Sequence, residues 1–213
     1  MSSKTTLAGA LRQFAGYPSP WILAGALLAE TVARVAHGHW GPGDLAVPAV
    51  MLVSFPFFEW IVHTSVLHWK PRRIGRLRID PLLARKHREH HADPRRPELI
   101  FIPLPVVPAL VVGNALIGLL AFPGLGQGLT FMVCAGALGV GYEWTHFLVH
   151  SDYRPRSRYY KAVWRNHRLH HFKNEHYWFT VTSSGTADRV LGTNPDPASI
   201  PTSRTAKNLH AAV

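Results

Sequence analysis

Apolar residues fall into four long blocks along the chain, and charged residues are gathered between them. The blocks are Trp21 to Ala36 ("WILAGALLAETVARVA"), Leu45 to His63 ("LAVPAVMLVSFPFFEWIVH"), Leu99 to Phe122 ("LIFIPLPVVPALVVGNALIGLLAF") and Leu129 to Val149 ("LTFMVCAGALGVGYEWTHFLV"). Each approaches or reaches the length of about 20 helical residues that crosses a bilayer. The first is the weakest, because it carries Glu30 and Arg34. Two short links, "HGHWGPGD" and "PGLGQG", join the first block to the second and the third to the fourth. The pattern predicts an all-α integral membrane protein with about four transmembrane helices arranged as two hairpins. Residues 1–20 read as an N-terminal segment and 194–213 as a flexible polar tail. No small-residue cleavage site closely follows the first block, so no removable signal peptide is predicted.

Charge gives this arrangement a direction. The chain has 213 residues and a formal net charge of +11. The stretch from Lys70 to Arg96 holds ten Lys or Arg residues, the chain after His150 holds ten more, and the two short links hold none. The positive-inside rule therefore places both termini and the long middle loop in the cytoplasm. Nucleic-acid binding would account for the basic clusters but not for the apolar blocks. The single cysteine, Cys134, excludes a disulfide framework and a cysteine-based zinc site.

The 14 histidines outnumber the 12 acidic residues, and ten of them lie in four spaced groups. His63 and His68 end the second block; His146 and His150 end the fourth. "ARKHREHHADP" carries His87, His90 and His91, and "WRNHRLHHFKNEHYW" carries His167, His170 and His171. All four groups fall on the predicted cytoplasmic face, where a helical cap would hold them. Positions three and four apart share a helix face, which suits metal ligation. His63 and His68 are five apart, about 140° around an ideal helix, and converge only if the helix bends or frays. Glu59, one turn before His63, is placed to accept its second ring proton, and Glu143 is placed to serve a neighbouring ring. Tyr142 lies one turn before His146 on the same face. His176 is an accessory candidate; His37, His39 and His210 read as incidental. Ten imidazoles exceed the four ligands of one tetrahedral zinc and suit two ions of higher coordination number. Imidazole serves iron, zinc and copper alike.

The series His-x4-His, His-x2-His-His, His-x3-His, His-x2-His-His resembles that of the fatty acid hydroxylase/sterol desaturase superfamily of membrane di-metal oxygenases. "FFEWIVHTSVLHWKP", "HREHHADPRRPELIFIPLP", "YEWTHFLVHSDY" and "HRLHHFKNEHYWFTVTSSGTADRVLGT" are similar to that family's successive boxes, and the resemblance spans roughly residues 50 to 193, within a membrane domain set at 21–193. It implies a catalytic di-iron centre held by His63, His68, His87, His90, His91, His146, His150, His167, His170 and His171, with O2 as co-substrate and zinc as a possible occupant after purification. It implies oxidation of an unactivated C–H bond in a membrane lipid. Trp60, Trp69, Tyr142, Trp144, Tyr177 and Trp178 are candidates for the substrate path, or for an ordinary interfacial aromatic belt. The chain carries no His-Pro-Gly-Gly haem box, so electrons are expected from a separate ferredoxin or cytochrome b5-type donor with its reductase.

Three functions are compatible with these residues. The first is hydroxylation of a fatty acyl chain or acyl lipid. The second is oxidation or desaturation of a sterol or isoprenoid, carotenoids included, on the same scaffold. The third is a membrane metal-binding or metal-transport protein without catalysis. Transport calls for polar ligands along the spans, whereas here they collect at one end.

Overall fold

The computed structural model describes residues 5–210. The chain divides into two compact units. One comprises the residues through Ala10, Pro56–Phe101 and the chain from Thr145 onward; the other comprises Leu11–Phe55 and Ile102–Trp144. Helices dominate: α1 (Leu7–Phe14), α2 (Pro18–His37), α3 (Gly43–Val62), α4 (Leu82–Ala92), α5 (Pro97–Ile100), α6 (Val107–Leu120), α7 (Leu125–His150), α8 (Arg158–Phe172) and α9 (Thr186–Val190). The expected all-α chain has one exception. Strands β1 (Arg72–Ile74) and β2 (Leu77–Ile79) pair antiparallel as a small hairpin, turned at Gly75, whose φ of +59° a side chain would disfavour.

Among the described residues, two helices have the length and composition to cross a bilayer. An 18-residue stretch of the apolar run Gly43–Leu67, which is α3 and the turn after it, has a mean hydropathy of 1.9 and is only 6% buried; the corresponding stretch of α7 is 28% buried. The core helix of a soluble protein would be mostly covered. Here Leu45, Val50, Leu52, Val53 and Phe58 project outward, each leaving apolar area exposed that water penalises at about 25 cal/mol per Å². A hydrocarbon surround removes that penalty.

Of the four expected spans, the second and the fourth meet this criterion. The third apolar block breaks into α5, an irregular stretch and α6. Pro103 and Pro105 explain the break, because each disfavours helix at the residue before it; Pro108 falls in the first turn of α6, where proline is tolerated. What remains, α6, has 14 residues, about 21 Å of helix against the about 30 Å of a bilayer core. The first block becomes α2, which is long enough but keeps its charges. Its outer positions Trp21, Leu28, Val32 and Val35 are exposed, while Glu30 and Arg34 are buried.

Those two charges organise the second unit. Arg34 pairs with Asp44 at 2.8 Å, donates to Thr130 Oγ1 at 2.8 Å, and stacks on Trp40 with 3.5 Å to the ring centroid. Glu30 accepts from Asn114 Nδ2 at 2.8 Å, joining α2 to α6. Helices α6 and α7 approach so closely that a Cβ on Gly128 would sit 1.9 Å from the Gly118 carbonyl oxygen, the small-residue contact typical of helices packed in membranes.

In the first unit, α4 and α8 carry the two His-x-x-His-His motifs. Arg88 donates to the Trp69 carbonyl at 3.2 Å and pairs with Asp80 at 2.5 Å, fastening α4 to the loop that follows His68. Ser157 caps α8, its Oγ accepting from Tyr160 N at 3.1 Å. Ser157→Ala is expected to cost about 1 kcal/mol, read as a lower thermal unfolding midpoint of the purified protein at unchanged helix content. The chain beyond residue 193, read from sequence as flexible, is instead anchored as far as it is described. Ser203 N donates to the Lys173 carbonyl at 2.7 Å, and Ala206 and Leu209 are buried.

Candidate metal centre

The apolar helices α3 and α7 deliver two histidine pairs at their C-terminal ends. On α7, His146 and His150 are four apart and meet by ordinary helical geometry, with ring centroids 4.8 Å apart. The pair after α3 needs a different turn. Residues His63–Leu67 form a π-helical turn, closed by His68 N donating to the His63 carbonyl at 3.0 Å. A turn closed between residues five apart returns His68 to the side of His63, as a four-residue spacing does in an α-helix. The two rings lie 5.0 Å apart. The convergence that an ideal helix denies is thus built into the backbone.

The ten histidines resolve into two groups of five. His63, His68, His87, His91 and His170 form one, and His90, His146, His150, His167 and His171 the other; within each, one ring nitrogen from every member lies within 4.8 Å of the rest. Each His-x-x-His-His motif is therefore split. On α4, His87 and His91 turn to the first group and His90 to the second. On α8 the division reverses, with His167 and His171 in the second group and His170 in the first. Neighbours in sequence differ by about 100° around a helix, so His90 and His91, like His170 and His171, address different groups. The groups adjoin, the His91 and His171 rings being 4.2 Å apart.

Hydrogen bonds fix which nitrogen faces inward. The Nδ1–H of His63 donates to the Phe179 carbonyl, that of His91 to the Ala206 carbonyl at 2.8 Å, that of His170 to the Tyr177 carbonyl at 2.8 Å, and that of His146 to the Ile100 carbonyl at 2.9 Å. Each bond leaves an Nε2 lone pair directed into its group. His91 Nε2 and His170 Nε2, both so committed, lie 3.2 Å apart. Two lone pairs at that distance repel unless a cation lies between them. Donors about 2.1 Å from one metal ion stand about 3.0–3.4 Å from each other, and the other Nε2 pairs, His63–His87 at 3.1 Å, His90–His150 at 3.2 Å and His167–His171 at 3.0 Å, fall in or near that range. The donor sets fit metal ions.

Burial keeps the rings in the ligating form. His91, His167, His170 and His171 are fully buried. Loss of solvent, then the proximity of other imidazoles, holds His68, His87, His90, His167 and His171 well below the ordinary histidine range. Burial does the same for His91 and His170 against the opposing pull of their carbonyl bonds. Neutral imidazole is the form that binds metal.

A model of the fatty acid hydroxylase family matches residues 48–193. The chain belongs to the fatty acid hydroxylase family. This is the fatty acid hydroxylase/sterol desaturase superfamily, and membership makes the protein an oxidoreductase-type enzyme of a generally iron-dependent, membrane-associated group. The match spans all four histidine groups and ends at Thr193. No curated protein and no solved structure matches this hydroxylase-family chain.

The accessory candidates fare differently from the ten histidines. Glu59 does not accept from His63. Its carboxylate takes Thr182 N at 2.8 Å and Thr182 Oγ1 at 3.2 Å, and so holds the loop whose Phe179 carbonyl braces His63. Glu143 accepts from Ser19 Oγ and from Ile102 N rather than from an imidazole. Tyr142, half-buried, lies with Glu143 in the second unit. His176 is exposed beside Glu175, with 3.5 Å between them. His37 and His39 belong to the second unit, but His210 does not stand apart: its Nε2 donates to the His68 carbonyl at 3.1 Å. Trp178 is fully buried and belongs to no interfacial belt.

Sequence spacing offered no role for Asp188, which proves central. One carboxylate oxygen accepts from Phe179 N at 2.8 Å and Thr193 Oγ1 at 2.7 Å, the other from Thr180 N at 3.0 Å and Thr180 Oγ1 at 2.5 Å. It is fully buried. Its only mark in the sequence is its place in the closing "TADRVLGT". Phe179 itself packs against three rings of the first group, its centroid 5.5 Å from His63, 5.5 Å from His68 and 5.3 Å from His170.

Proposed function

We propose that this protein is a membrane-bound, O2-dependent lipid hydroxylase that inserts oxygen into a C–H bond of a fatty acyl chain or acyl lipid. The ten histidines hold two iron ions, five to each. The observation that carries this reading is the pair of adjoining five-histidine groups in a member of the fatty acid hydroxylase family. The metal pair would supply reductive activation of O2, chemistry that belongs to the cofactor rather than to the chain. The chain's own residues orient the rings through the carbonyls of Ile100, Tyr177, Phe179 and Ala206, keep them neutral by burial, and cover one group with Phe179. In this reading the protein is multi-pass, and the basic stretches around the site face the cytoplasm. Oxidation or desaturation of a sterol or isoprenoid would use the same scaffold. Metal transport draws less support, since the buried charges Glu30 and Arg34 and the half-buried Asp44 have partners within their own unit.

The deciding experiment is comparative lipid mass spectrometry of cells with and without the gene. The expected result is a lipid that gains one oxygen. Loss of two hydrogens would point to desaturation, and an unchanged lipid profile with altered metal uptake would favour transport.

Electrons come from a separate donor. No metal–sulfur ligand set or haem box occurs in the sequence, and the surface loop before α8 is basic. The purified protein is expected to be inactive with NADPH alone and to turn over once an acidic ferredoxin or cytochrome b5-type donor and its reductase are added. The rate should fall as salt rises above about 0.1 M. Reversing charge at the exposed Arg156 and Arg158 should lower the low-salt rate on the order of tenfold. Turnover with NADPH and no donor would contradict this.

A further inference from the structure

A cleft of about 670 Å³ opens beside the second histidine group, built from the loop between α7 and α8, the outer face of α8 and Arg95. Ser151, which follows His150, and Arg168, which follows His167, both line it. Its walls carry Arg95, Arg154, Lys161, Arg165 and Arg168 around Trp164, with Asp152 as the single carboxylate. None of these five cations takes part in an ion pair among the described residues, although other surface cations such as Lys86 and Arg96 do. Arg168 lies against two rings, 4.7 Å from the centroid of Trp164 and 5.1 Å from that of Phe172. A chain that assembles five unneutralised cations in a concavity leaves a strong positive potential there, and low-dielectric walls focus it.

We propose that this cleft is a binding site for a phosphate group, carried by an anionic lipid headgroup or by a small soluble phosphate compound. Three features select this chemistry. The volume falls in the range of small-ligand sites, about 300–1,000 Å³, and a concavity is a poor seat for the broad face of a protein donor. Several arginines at one site match the tetrahedral oxygens of phosphate, which a guanidinium binds through two parallel hydrogen bonds. Trp164 adds an apolar wall suited to the carbon skeleton of a phosphate ester. Since Ser151 and Arg168 each follow a histidine of the second group, a phosphate here would sit next to the proposed reaction centre. The binding claim itself does not depend on the hydroxylase reading.

The test uses the full chain purified in detergent micelles, titrated calorimetrically with inorganic phosphate and, separately, with a short-chain phosphatidylglycerol and its phosphatidylcholine counterpart. Saturable binding near one per chain is expected for at least one phosphate compound, weakened tenfold or more in Lys161→Ala/Arg165→Ala. It should be unchanged in Arg72→Ala/Arg73→Ala, which removes equal charge from the hairpin. Binding of inorganic phosphate identifies a soluble ligand; binding of phosphatidylglycerol alone identifies a headgroup site. Arg154→Ala, in the loop and clear of α8, provides a second variant should the double one misfold. The proposal is overturned if no phosphate compound binds, or if the hairpin variant weakens binding equally. It is also overturned if the cleft variants retain phosphate binding and lose only donor-driven turnover, which would make the cleft a protein-docking site. Because binding is read without turnover, failure here leaves the lipid mass-spectrometry result untouched, and the reverse also holds.

Discussion

Chains lacking both His170 and His171 are expected to retain no metal, whereas chains lacking both His91 and His170 should retain about one ion. Purified wild-type protein, metal-replete and dialysed, should carry two. The difference follows from the split of the motifs. His91 and His170 serve one group, so removing both empties that group and spares the other. His170 and His171 are adjacent in sequence but belong to different groups, so their joint loss damages each. Single substitutions of any of these three should reduce oxygenase activity below detection, because two ions must act together. His37→Ala should leave metal content and activity near wild type, while His210→Ala, next to the His68 carbonyl, should show a small loss. Elemental analysis decides the matter without reference to activity. Equal metal retention in the two double variants would refute the division into groups.

That division was not legible in the sequence, although the gathering of the ten histidines was. Spacings of three and four residues identify histidines that share a helix side, and the ten candidates are the ten that converge. But a motif with His at positions one, four and five spans a wide arc, since its last two members diverge by about 100°. Whether that arc serves one site or two depends on what faces the helix, which only the tertiary structure supplies. The five-residue spacing of His63 and His68 hides a π-helical turn for a similar reason: no local residue pattern marks one. Glu59 was the natural partner for His63 by helical proximity, yet its partner is Thr182, far along the chain. The carbonyls that brace the rings carry no sequence signal, because every residue has one. The tail was misread on the same grounds. Its polar composition suggests solvent, but what anchors it are main-chain groups of Ser203 and Ala206. By contrast, the failure of the third apolar block to form one helix was written in Pro103 and Pro105, whose effect on the backbone outweighs hydropathy.

The loop from Tyr177 to Thr182 is the element on which the first histidine group depends. It contributes two of that group's three carbonyl braces, through Tyr177 to His170 and Phe179 to His63. Its backbone is not relaxed. Trp178 has a φ of +57°, a conformation costing a bulky side chain of order 1–3 kcal/mol unless its surroundings enforce it. The enforcement is visible: Trp178 N donates to the Thr193 carbonyl at 2.8 Å, Tyr159 Oη donates to the Thr182 carbonyl at 2.7 Å, Glu59 takes Thr182, and Asp188 takes Phe179, Thr180 and Thr193. Thr193 Oγ1 in turn accepts from Trp60 Nε1 at 2.9 Å, which ties the loop to α3.

Asp188→Ala is therefore expected to do more damage than loss of any other residue outside the ten histidines. It strands two buried backbone N–H groups and two hydroxyls, and each buried donor left unmade costs about 1–3 kcal/mol. The summed loss, several kcal/mol, is a large fraction of the stability of an ordinary domain, so the protein is expected to be obtained in low yield or unfolded. Asp188→Asn keeps the shape but replaces one acceptor oxygen with an amide that cannot accept. It should fold, with the Phe179 carbonyl displaced from His63. Because such supporting contacts are typically worth about 10- to 100-fold in metal affinity, the variant should lose metal from the first group while the second retains its ion. Dialysis against a weak chelator should then leave about one ion per chain in Asp188→Asn and two in wild type. Glu59→Gln, acting on the same loop at Thr182, three residues beyond Phe179, should shift the chelator midpoint in the same direction by less, on the order of tenfold. If Asp188→Asn instead keeps both ions at wild-type chelator concentrations, the loop braces the fold and not the metal.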